Sequence, residues 1–320
     1  MTFVRTVLGD IEPADLGTTY AHEHLVIDDG PAVERSPDFL LIDIERLAVE
    51  VEDAQRHGLR SAIDAWPAGA GRNVGLLSEL SRRTGLHLVA ATGLHHERFY
   101  DRWHWSTRLS AAELADLFVA DVVDGIDAND YGGPVVRRTG HRAGVIKVAG
   151  SEDGPSERDA RAFVAAAAAH RRTGVPILTH CENGTGALEQ VRLLSDAGVD
   201  LGHVVFSHVD KVVDRGYQRE IMSTGAIVEY DQAFRWGDRE NGTLELLVEL
   251  IGEGFGDRIV LGMDAARQGY YRSFGGRPGL AYLLTEFARA MAARGLDETA
   301  RHRLFVDNPA RAFAFATVEG

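Results

Sequence analysis

The sequence predicts an α/β fold in which eight parallel strands and their helices close into a TIM (β/α)8 barrel. Short apolar runs alternate with helical patterns along almost the whole chain, and several of these runs end at a polar residue. The runs are hydrophobic throughout, which is typical of strands buried on both faces. A chain of 320 residues with 45% hydrophobic content suits one barrel, so we expect a single domain over residues 1–320.

The strand and helix patterns define the repeats of this barrel. Strands are predicted near residues 18–24, 60–65, 87–92, 143–148, 175–180, 203–208, 225–230 and 258–263. Helical patterns between them include residues 44–57, 111–126, 157–173, 186–197 and 279–294. A doubly wound open sheet uses the same alternation, but it collects ligands at a switch point between a few strands. Here the candidate ligands follow strands 1, 4, 5, 6 and 8, and a closed ring brings those ends together.

The first predicted strand ends at the pair His22 and His24. Alternate residues of a strand point to the same face, so both imidazoles project together. Neutral imidazole binds zinc, iron, nickel or manganese, and two ligands on one rigid element hold a cation well. An isolated His-x-His pair is more often two surface or hydrogen-bonded histidines, so the pair alone is a weak signal.

Three later strands strengthen the metal interpretation because each stops at a potential ligand. The runs 175–179, 203–207 and 258–263 end at His180, His208 and Asp264. A fourth run reaches Lys147, whose ammonium has no lone pair to donate. This lysine fits the pattern if it is carboxylated to a carbamate, or if it is an ion-pair partner. Asp264 has a second interpretation as the N-cap of a following helix.

Composition excludes several classes of protein. A net charge of −14 argues against a nucleic-acid partner or an anionic membrane surface, both of which select basic patches. No segment approaches the roughly 20 apolar residues that span a bilayer. The single cysteine, Cys181, excludes an intramolecular disulfide framework and fits a reducing compartment, so we expect a cytoplasmic protein. Because Cys181 directly follows His180, a metal-ligand or nucleophile role is an alternative, but we interpret Cys181 as a small buried residue beside the site.

Taken together, these motifs resemble the phosphotriesterase family of the amidohydrolase superfamily, in its phosphotriesterase-homology and lactonase branch. The similarity runs in order from about residue 3 to about residue 316. The segments that carry it are Leu8-Gly9-Asp10-Ile11, Ala21-His22-Glu23-His24-Leu25, Ile146-Lys147, Thr179-His180, Ser207-His208, Gly262-Met263-Asp264 and Asn308-Pro309-Ala310-Arg311.

The resemblance implies a binuclear metal centre at the carboxyl ends of the strands. Its ligands would be His22, His24, Lys147, His180, His208 and Asp264. His22, His24 and Asp264 would hold the more buried ion, and His180 and His208 would hold the more exposed one. A carboxylated Lys147 would bridge both ions together with a hydroxide, and Asp264 would be the catalytic proton acceptor. We expect two divalent ions, zinc first, with manganese, cobalt and iron as alternatives.

Substrate contacts are expected from the loops after strands three, seven and eight. The loop after strand three offers His95 and His96, at a place where lactonase relatives commonly have tyrosines. Its aromatic and arginine content suits a pocket wall or, as an alternative, a subunit contact. Arg267 and Tyr270 follow Asp264, and Arg235 follows strand seven. Arginine in such a position presents a planar fork of donors to a carboxylate or phosphate, although a solvated surface charge is the alternative.

These polar loops favour a lactonase for a sugar-derived lactone, with or without a phosphate group. Uncharged bulky triesters favour apolar pockets, whereas a sugar-acid lactone needs hydrogen-bond donors and cations. A phosphotriesterase (aryldialkylphosphatase) or carboxylesterase is the alternative, and a non-catalytic binding protein is a remote one. The expected partner is a small molecule, and the sequence leaves a homodimer open.

Overall fold

Eight parallel strands form the centre of the molecule, in a computed structural model that describes residues 2–318. A short antiparallel hairpin, β1 (Val4–Thr6) and β2 (Gly9–Ile11), precedes them. The barrel strands are β3 (Thr19–Glu23), β4 (Ser61–Asp64), β5 (His87–Gly93), β6 (Val145–Gly150), β7 (Ile177–Cys181), β8 (Val204–Ser207), β9 (Ile227–Tyr230) and β10 (Ile259–Leu261). All eight predicted strands are confirmed.

The strands follow one another around the sheet in chain order, and the first and last meet. The amide of Asp264 donates to the carbonyl oxygen of His22 over 2.9 Å. The buried carboxylate of Glu23 accepts from the amide of Met263 over 2.8 Å. These bonds join the end of β3 to the segment after β10. The TIM barrel is therefore confirmed, and the open doubly wound sheet is excluded.

Helices surround the barrel in the intervals between strands. They are α1 (Pro31–Arg35), α2 (Ile44–Arg56), α3 (Val74–Thr84), α4 (Ala111–Val123), α5 (Glu157–Thr173), α6 (Ala187–Asp196), α7 (Arg215–Ser223), α8 (Gly242–Gly252), α9 (Glu286–Ala293), α10 (Glu298–His302) and α11 (Asn308–Ala312). Side-chain caps begin several of them, with Ser110 and Ser156 forming full capping boxes at α4 and α5.

One helix prediction is wrong in part. Residues 279–294 were expected to form one helix, but the structure has a 3-10 helix over Leu280–Leu284 and then α9. Buried side chains hold the backbone at the start of this segment. Glu50 accepts from the amide of Leu280 over 2.7 Å, and the hydroxyl of Tyr20 donates to the carbonyl oxygen of Leu280 over 2.9 Å. These bonds compete with α-helical ones, so the first turns remain irregular.

Two buried apolar clusters explain which side chains reach the barrel mouth. One cluster fills the barrel interior and includes Val145, Leu178 and Ile227, and the larger one packs between strands and helices. Residues two positions further along each strand face the same interior. That rule places Lys147, His180 and Glu229 inside the barrel at its carboxyl end.

Every helix within residues 2–318 is too short or too polar to span a bilayer.

Candidate active site

All six predicted ligands meet at the carboxyl ends of the barrel strands. The ring centres of His22 and His208 are 4.8 Å apart, and those of His180 and His208 are 4.5 Å apart. Nε2 of His24 lies 3.1 Å from Oδ1 of Asp264. The Lys147 amine lies 3.1 Å from Nε2 of His22 and is fully buried. The structure thus brings four imidazoles, one amine and one carboxylate into direct contact.

Two of the six residues have left-handed backbone angles. His208 has φ 69° and Asp264 has φ 49°, a region that residues other than glycine rarely occupy. His208 directly follows β8, and Asp264 lies three residues after the end of β10. Strain of this kind persists where surrounding contacts impose it, and it concentrates at functional sites. The left-handed backbone of His208 and Asp264 therefore indicates a functional site at the same place as the cluster of side chains.

Three carboxylates that the sequence analysis did not select lie beside three of the imidazoles, and two of them form hydrogen bonds. Oε2 of Glu229 lies 3.5 Å from Nδ1 of His22, and Asp231 accepts a hydrogen bond from Nδ1 of His208. Nε2 of His180 is bonded to Oε2 of Glu182 over 2.8 Å. A carboxylate on one ring nitrogen orients the imidazole and leaves the other nitrogen for a metal ion. The available signal was an acidic residue inside the apolar run of β9, since a buried carboxylate needs a partner.

The donor set fits divalent cations. Two compact groups have their ligand atoms within 4.8 Å of one another, namely His22, His24 and Asp264, and His22, His208, Glu229 and Asp231. His180 belongs to neither group. Nδ1 of His22, Nδ1 of His24 and both oxygens of Glu229 are buried, and among residues 2–318 none has a hydrogen-bond partner. Polar atoms buried in this way call for a further partner, which a cation supplies.

Burial also keeps the imidazoles of His22, His180 and His208 neutral. Desolvation, followed by the charge of Lys147, lowers the pKa of His22 well below its usual value. Desolvation lowers the pKa of His208 similarly and that of His180 to about 4. Neutral imidazole is the form that binds metal ions. Desolvation also lowers the pKa of the Lys147 amine to about 8, although Asp264 and Glu229 oppose that shift.

Cys181 lies beside the site without the features of a nucleophile. The side chain is fully buried, and Sγ lies 3.7 Å from Oε1 of Gln190. Burial raises the pKa of the thiol to about 12, so thiolate is not formed near neutral pH. Its environment agrees with the interpretation of a small buried residue.

A cavity of about 200 Å³ opens above the histidine cluster. Its walls combine the aromatic side chains of Phe39, Trp66, Phe99 and Tyr270 with cationic side chains. The cations are Arg98, Lys211, Arg235 and Arg267. A small concave site that joins apolar walls to a few charged groups is typical of a site for a polar small molecule. The excess of positive groups favours an anionic one.

Four of the five predicted substrate contacts line this cavity, and His96 is not among the lining residues. Its Nε2 instead lies 3.2 Å from Oγ of Ser151. His95 is buried, and its Nδ1 accepts from the amide of His96 over 2.7 Å. A neutral His95 therefore carries its proton on Nε2 and is a hydrogen-bond donor through that atom. In the loop after β5, His95 therefore lines the cavity, whereas His96 links the loop to Ser151.

Arg267 and Tyr270 each contact another residue that lines the cavity. Nη1 of Arg267 donates to both oxygens of Asp38, over 2.9 and 2.8 Å, and its guanidinium stacks 4.2 Å from the centre of the Phe39 ring. This leaves Nε and Nη2 for other partners. The guanidinium of Arg235 lies 5.3 Å from the centre of the Tyr270 ring. Both predicted loops after β9 and β10 therefore meet over the cavity.

Comparison with known proteins gives one consistent family. A model of the Phosphotriesterase family matches residues 2–313. The chain is 33% identical to a phospho-furanose lactonase of Mycoplasmopsis synoviae, over 98% of this chain and 92% of that protein. It is 29% identical to an aryldialkylphosphatase of Saccharolobus solfataricus, over 95% of this chain and 97% of that protein.

Solved structures agree in fold along the full length. The structure of an amidohydrolase from Mycoplasma synoviae is similar to this chain with a TM-score of 0.96 and 30% identity, covering 99% of this chain and 93% of that chain. A lactonase from Listeria monocytogenes is similar with a TM-score of 0.89 and 30% identity, covering 98% of this chain and all of the other.

Proposed function

The chain belongs to the phosphotriesterase family of hydrolases, and on that premise we propose that it is a metal-dependent lactonase for a polar, sugar-derived lactone. The observation that carries the proposal is the set of four cationic side chains around the cavity above the histidine cluster. Relatives named as lactonases cover nearly the whole chain and support the same reaction class. We propose that the substrate carries negative charge, with a phosphate group as the first candidate.

We propose that the cluster holds two divalent ions, zinc first. His22, His24 and Asp264 would hold one, His180 and His208 the other, and a carboxylated Lys147 would join them. Carboxylation turns a cation among four imidazoles into an anionic ligand, which removes the conflict that an ammonium presents there. When bound, such ions would supply a water of near-neutral pKa and a Lewis acid for a carbonyl oxygen.

Side chains of the protein would provide proton transfer, substrate hydrogen bonding and exclusion of water. Asp264 is placed to accept a proton on its carboxylate. Burial raises the pKa of this carboxyl, but His24, His208 and Arg235 beside it outweigh that effect and lower the pKa, which keeps the group ionised. His95 donates from Nε2 toward a substrate oxygen. The walls of Phe39, Trp66 and Phe99 exclude bulk water, which strengthens each charge interaction inside the cavity.

The cationic side chains that line the cavity favour binding of anionic lactones over neutral triesters. Lys211 and the available donors of Arg267 lie where an anionic substituent of the substrate would be paired. Charge-assisted hydrogen bonds of this kind contribute about 1.5–3 kcal/mol each. A neutral triester gains none of this and must displace the water that solvates these groups. The cavity therefore favours a phosphorylated furanose lactone over an uncharged organophosphate.

Steady-state kinetics on a panel of substrates tests the proposal. The panel contains aldonolactones with and without a phosphate group, simple esters, and paraoxon-like triesters, all with the metal-loaded enzyme. We expect the highest kcat/KM with a phosphorylated lactone, by at least about 10-fold over its unphosphorylated form, as one charge-assisted bond implies. Triesters turned over faster than every lactone by orders of magnitude would refute the lactonase assignment.

A phosphotriesterase is the second candidate function. The similarity to the aryldialkylphosphatase of Saccharolobus solfataricus favours it, and the same cluster could act on a phosphorus centre. Faster hydrolysis of triesters in the panel would select this candidate. Faster hydrolysis of aryl esters would select a carboxylesterase.

A further inference from the structure

Glu182 joins the imidazole of His180 to the loop that walls the cavity. It follows His180 by two residues, directly after β7. Its Oε2 lies 2.8 Å from Nε2 of His180, and its Oε1 accepts from Nη1 of Arg98 over 2.7 Å. The Glu182 side chain is 17% exposed, whereas that of Arg98 is 51% exposed. One carboxylate therefore bridges a buried imidazole and a half-exposed guanidinium.

The backbone around Glu182 is held in one conformation. The next residue, Asn183, has a left-handed backbone with φ 51°. Its side-chain amide donates to the carboxylate of Glu152. The hydroxyl of Thr185 donates to the carbonyl oxygen of Glu182 over 3.0 Å and to that of Glu152 over 2.9 Å. These bonds fix the direction in which the Glu182 side chain leaves the loop.

The pairing with Glu182 decides which nitrogen of His180 faces the cluster. An ionised carboxylate only accepts hydrogen bonds, so Nε2 of His180 carries the proton in this pair. Nδ1 of His180 then keeps its lone pair. His208 is held the other way, because its carboxylate partner Asp231 lies at Nδ1. His180 thus differs from His208 in the nitrogen that is left for a ligand.

Arg98 connects the same carboxylate to the cavity wall. It lies in the loop after β5, and its guanidinium is 5.3 Å from the centre of the Phe99 ring. The Phe99 ring is in turn 3.9 Å from the His95 ring, and all three side chains line the cavity. A displacement of Arg98 therefore reaches the substrate-facing residues through two direct contacts.

We propose that Glu182 is a positioning residue that presents Nδ1 of His180 to the metal site and, through Arg98, fixes the loop of His95 and Phe99 over the substrate. The part of this inference that concerns substrate rests on the proposed function. The part that concerns His180 does not, because the geometry of the pair is a property of the protein alone.

Long-range proton–nitrogen NMR of the metal-free protein, with histidines labelled by nitrogen-15, tests the His180 part. We expect the Nε2-protonated form of His180 in the wild type and a mixture of both neutral forms in E182A. The matched control is E152Q, which removes a nearby carboxylate charge on the loop after β6 but keeps an oxygen that accepts from the side-chain amide of Asn183. We expect its His180 spectrum to stay unchanged. An E182A protein that remains folded and keeps the wild-type His180 form would overturn the inference.

Metal affinity gives a second readout that does not depend on catalysis. Removing a carboxylate partner of a ligating histidine weakens metal binding by about 10- to 100-fold. Chelator competition should show this loss for one ion in E182A and none in E152Q. In E182Q one of the two carboxylate oxygens is replaced by an NH2 group that cannot accept, so either His180 or Arg98 loses its acceptor and we expect an intermediate loss. Equal affinities in all these variants would contradict a role at His180.

The loop part is tested by a double-mutant cycle with lactone as substrate. R98M should raise KM and leave the metal affinity unchanged, because it frees the loop without moving His180. If Glu182 acts on the loop through Arg98, the effects of E182A and R98M on KM are less than additive in free energy. Fully additive effects would overturn the coupling. If no lactone is hydrolysed, the proposed function fails while the NMR and chelator results still decide the role of Glu182.

Discussion

Arg235 holds both the backbone and the side chain of Asp264. Its Nη2 donates to the carbonyl oxygen of Asp264 over 2.7 Å and lies 3.4 Å from Oδ2 of the same residue. Its Nη1 also donates to the carbonyl oxygen of Asp231. Since Asp264 has a left-handed backbone at φ 49°, one guanidinium stabilises an otherwise unfavourable conformation at the proposed proton acceptor.

Replacing Arg235 by methionine should therefore lower kcat/KM for the best lactone by about 100-fold, the cost of misplacing a catalytic group by about 1 Å. R235K keeps the charge but loses the planar fork, so we expect only partial recovery. Steady-state kinetics and metal analysis of both variants measure this. A fully active R235M would show that the position of Asp264 does not depend on its contacts with Arg235.

Lys147→Ala should remove the proposed bridge between the metal ions. We expect the purified variant to lose most of its metal and at least about 100-fold in kcat/KM, with partial recovery when acetate or propionate is added in place of the carbamate. Elemental analysis and activity with increasing acid concentration are the measurements. Metal content equal to that of the wild type would contradict the ligand role of Lys147.

Arg267→Ala should discriminate between charged and neutral lactones. Loss of one charge-assisted hydrogen bond raises KM for a phosphorylated lactone by about 10- to 100-fold and leaves the unphosphorylated form nearly unchanged. The matched control is D38N, which weakens the ion pair of Arg267 with Asp38 but keeps the guanidinium. An equal loss on both lactones in R267A would assign Arg267 a structural role on Phe39 and Asp38.

His104 should make stability depend on pH. Desolvation, followed by the charge of Arg158, lowers the pKa of His104 to about 4 in the folded state, against about 6.5 in an unfolded chain. Below about pH 6.5 the unfolded chain binds a proton that the folded protein does not, so the free energy of unfolding decreases as pH falls from 6.5 toward 4.

The variant H104Q removes this contribution. Because His104 is partly exposed, we discount the full shift and expect the stability difference between wild type and H104Q to change by about 1–2 kcal/mol between about pH 7 and about pH 4.5. Urea unfolding at both pH values measures the difference. A difference that is independent of pH would show that His104 titrates normally in the folded protein.

Much of the fold could be predicted because buried parallel strands have a simple signature. Each barrel strand is a short apolar run, and the residue that ends it reaches the barrel mouth. That rule located His180 and His208 without any knowledge of their distance in space. The single-domain organisation, the cytoplasmic location and the homodimer that the sequence leaves open stay predictions.

The carboxylates around the histidines were harder to predict. Glu229 faces His22 across the barrel, from a strand that is far away in the sequence. Glu182 contacts His180 from a loop in which Asn183 has a left-handed conformation. An alternation of strands and helices in the sequence predicts neither the contact between Glu229 and His22 nor the backbone angles after Glu182. An unpaired acidic residue within the apolar run of β9 was the signal that could have indicated Glu229.

The central claim is that the cluster of His22, His24, Lys147, His180, His208 and Asp264 hydrolyses a lactone with two bound divalent ions. The most direct test is titration of the chelator-treated, metal-free protein with zinc while hydrolysis of a phosphorylated lactone is followed. We expect negligible activity without metal and maximal activity at two equivalents of zinc. Full activity after exhaustive removal of metal would contradict it.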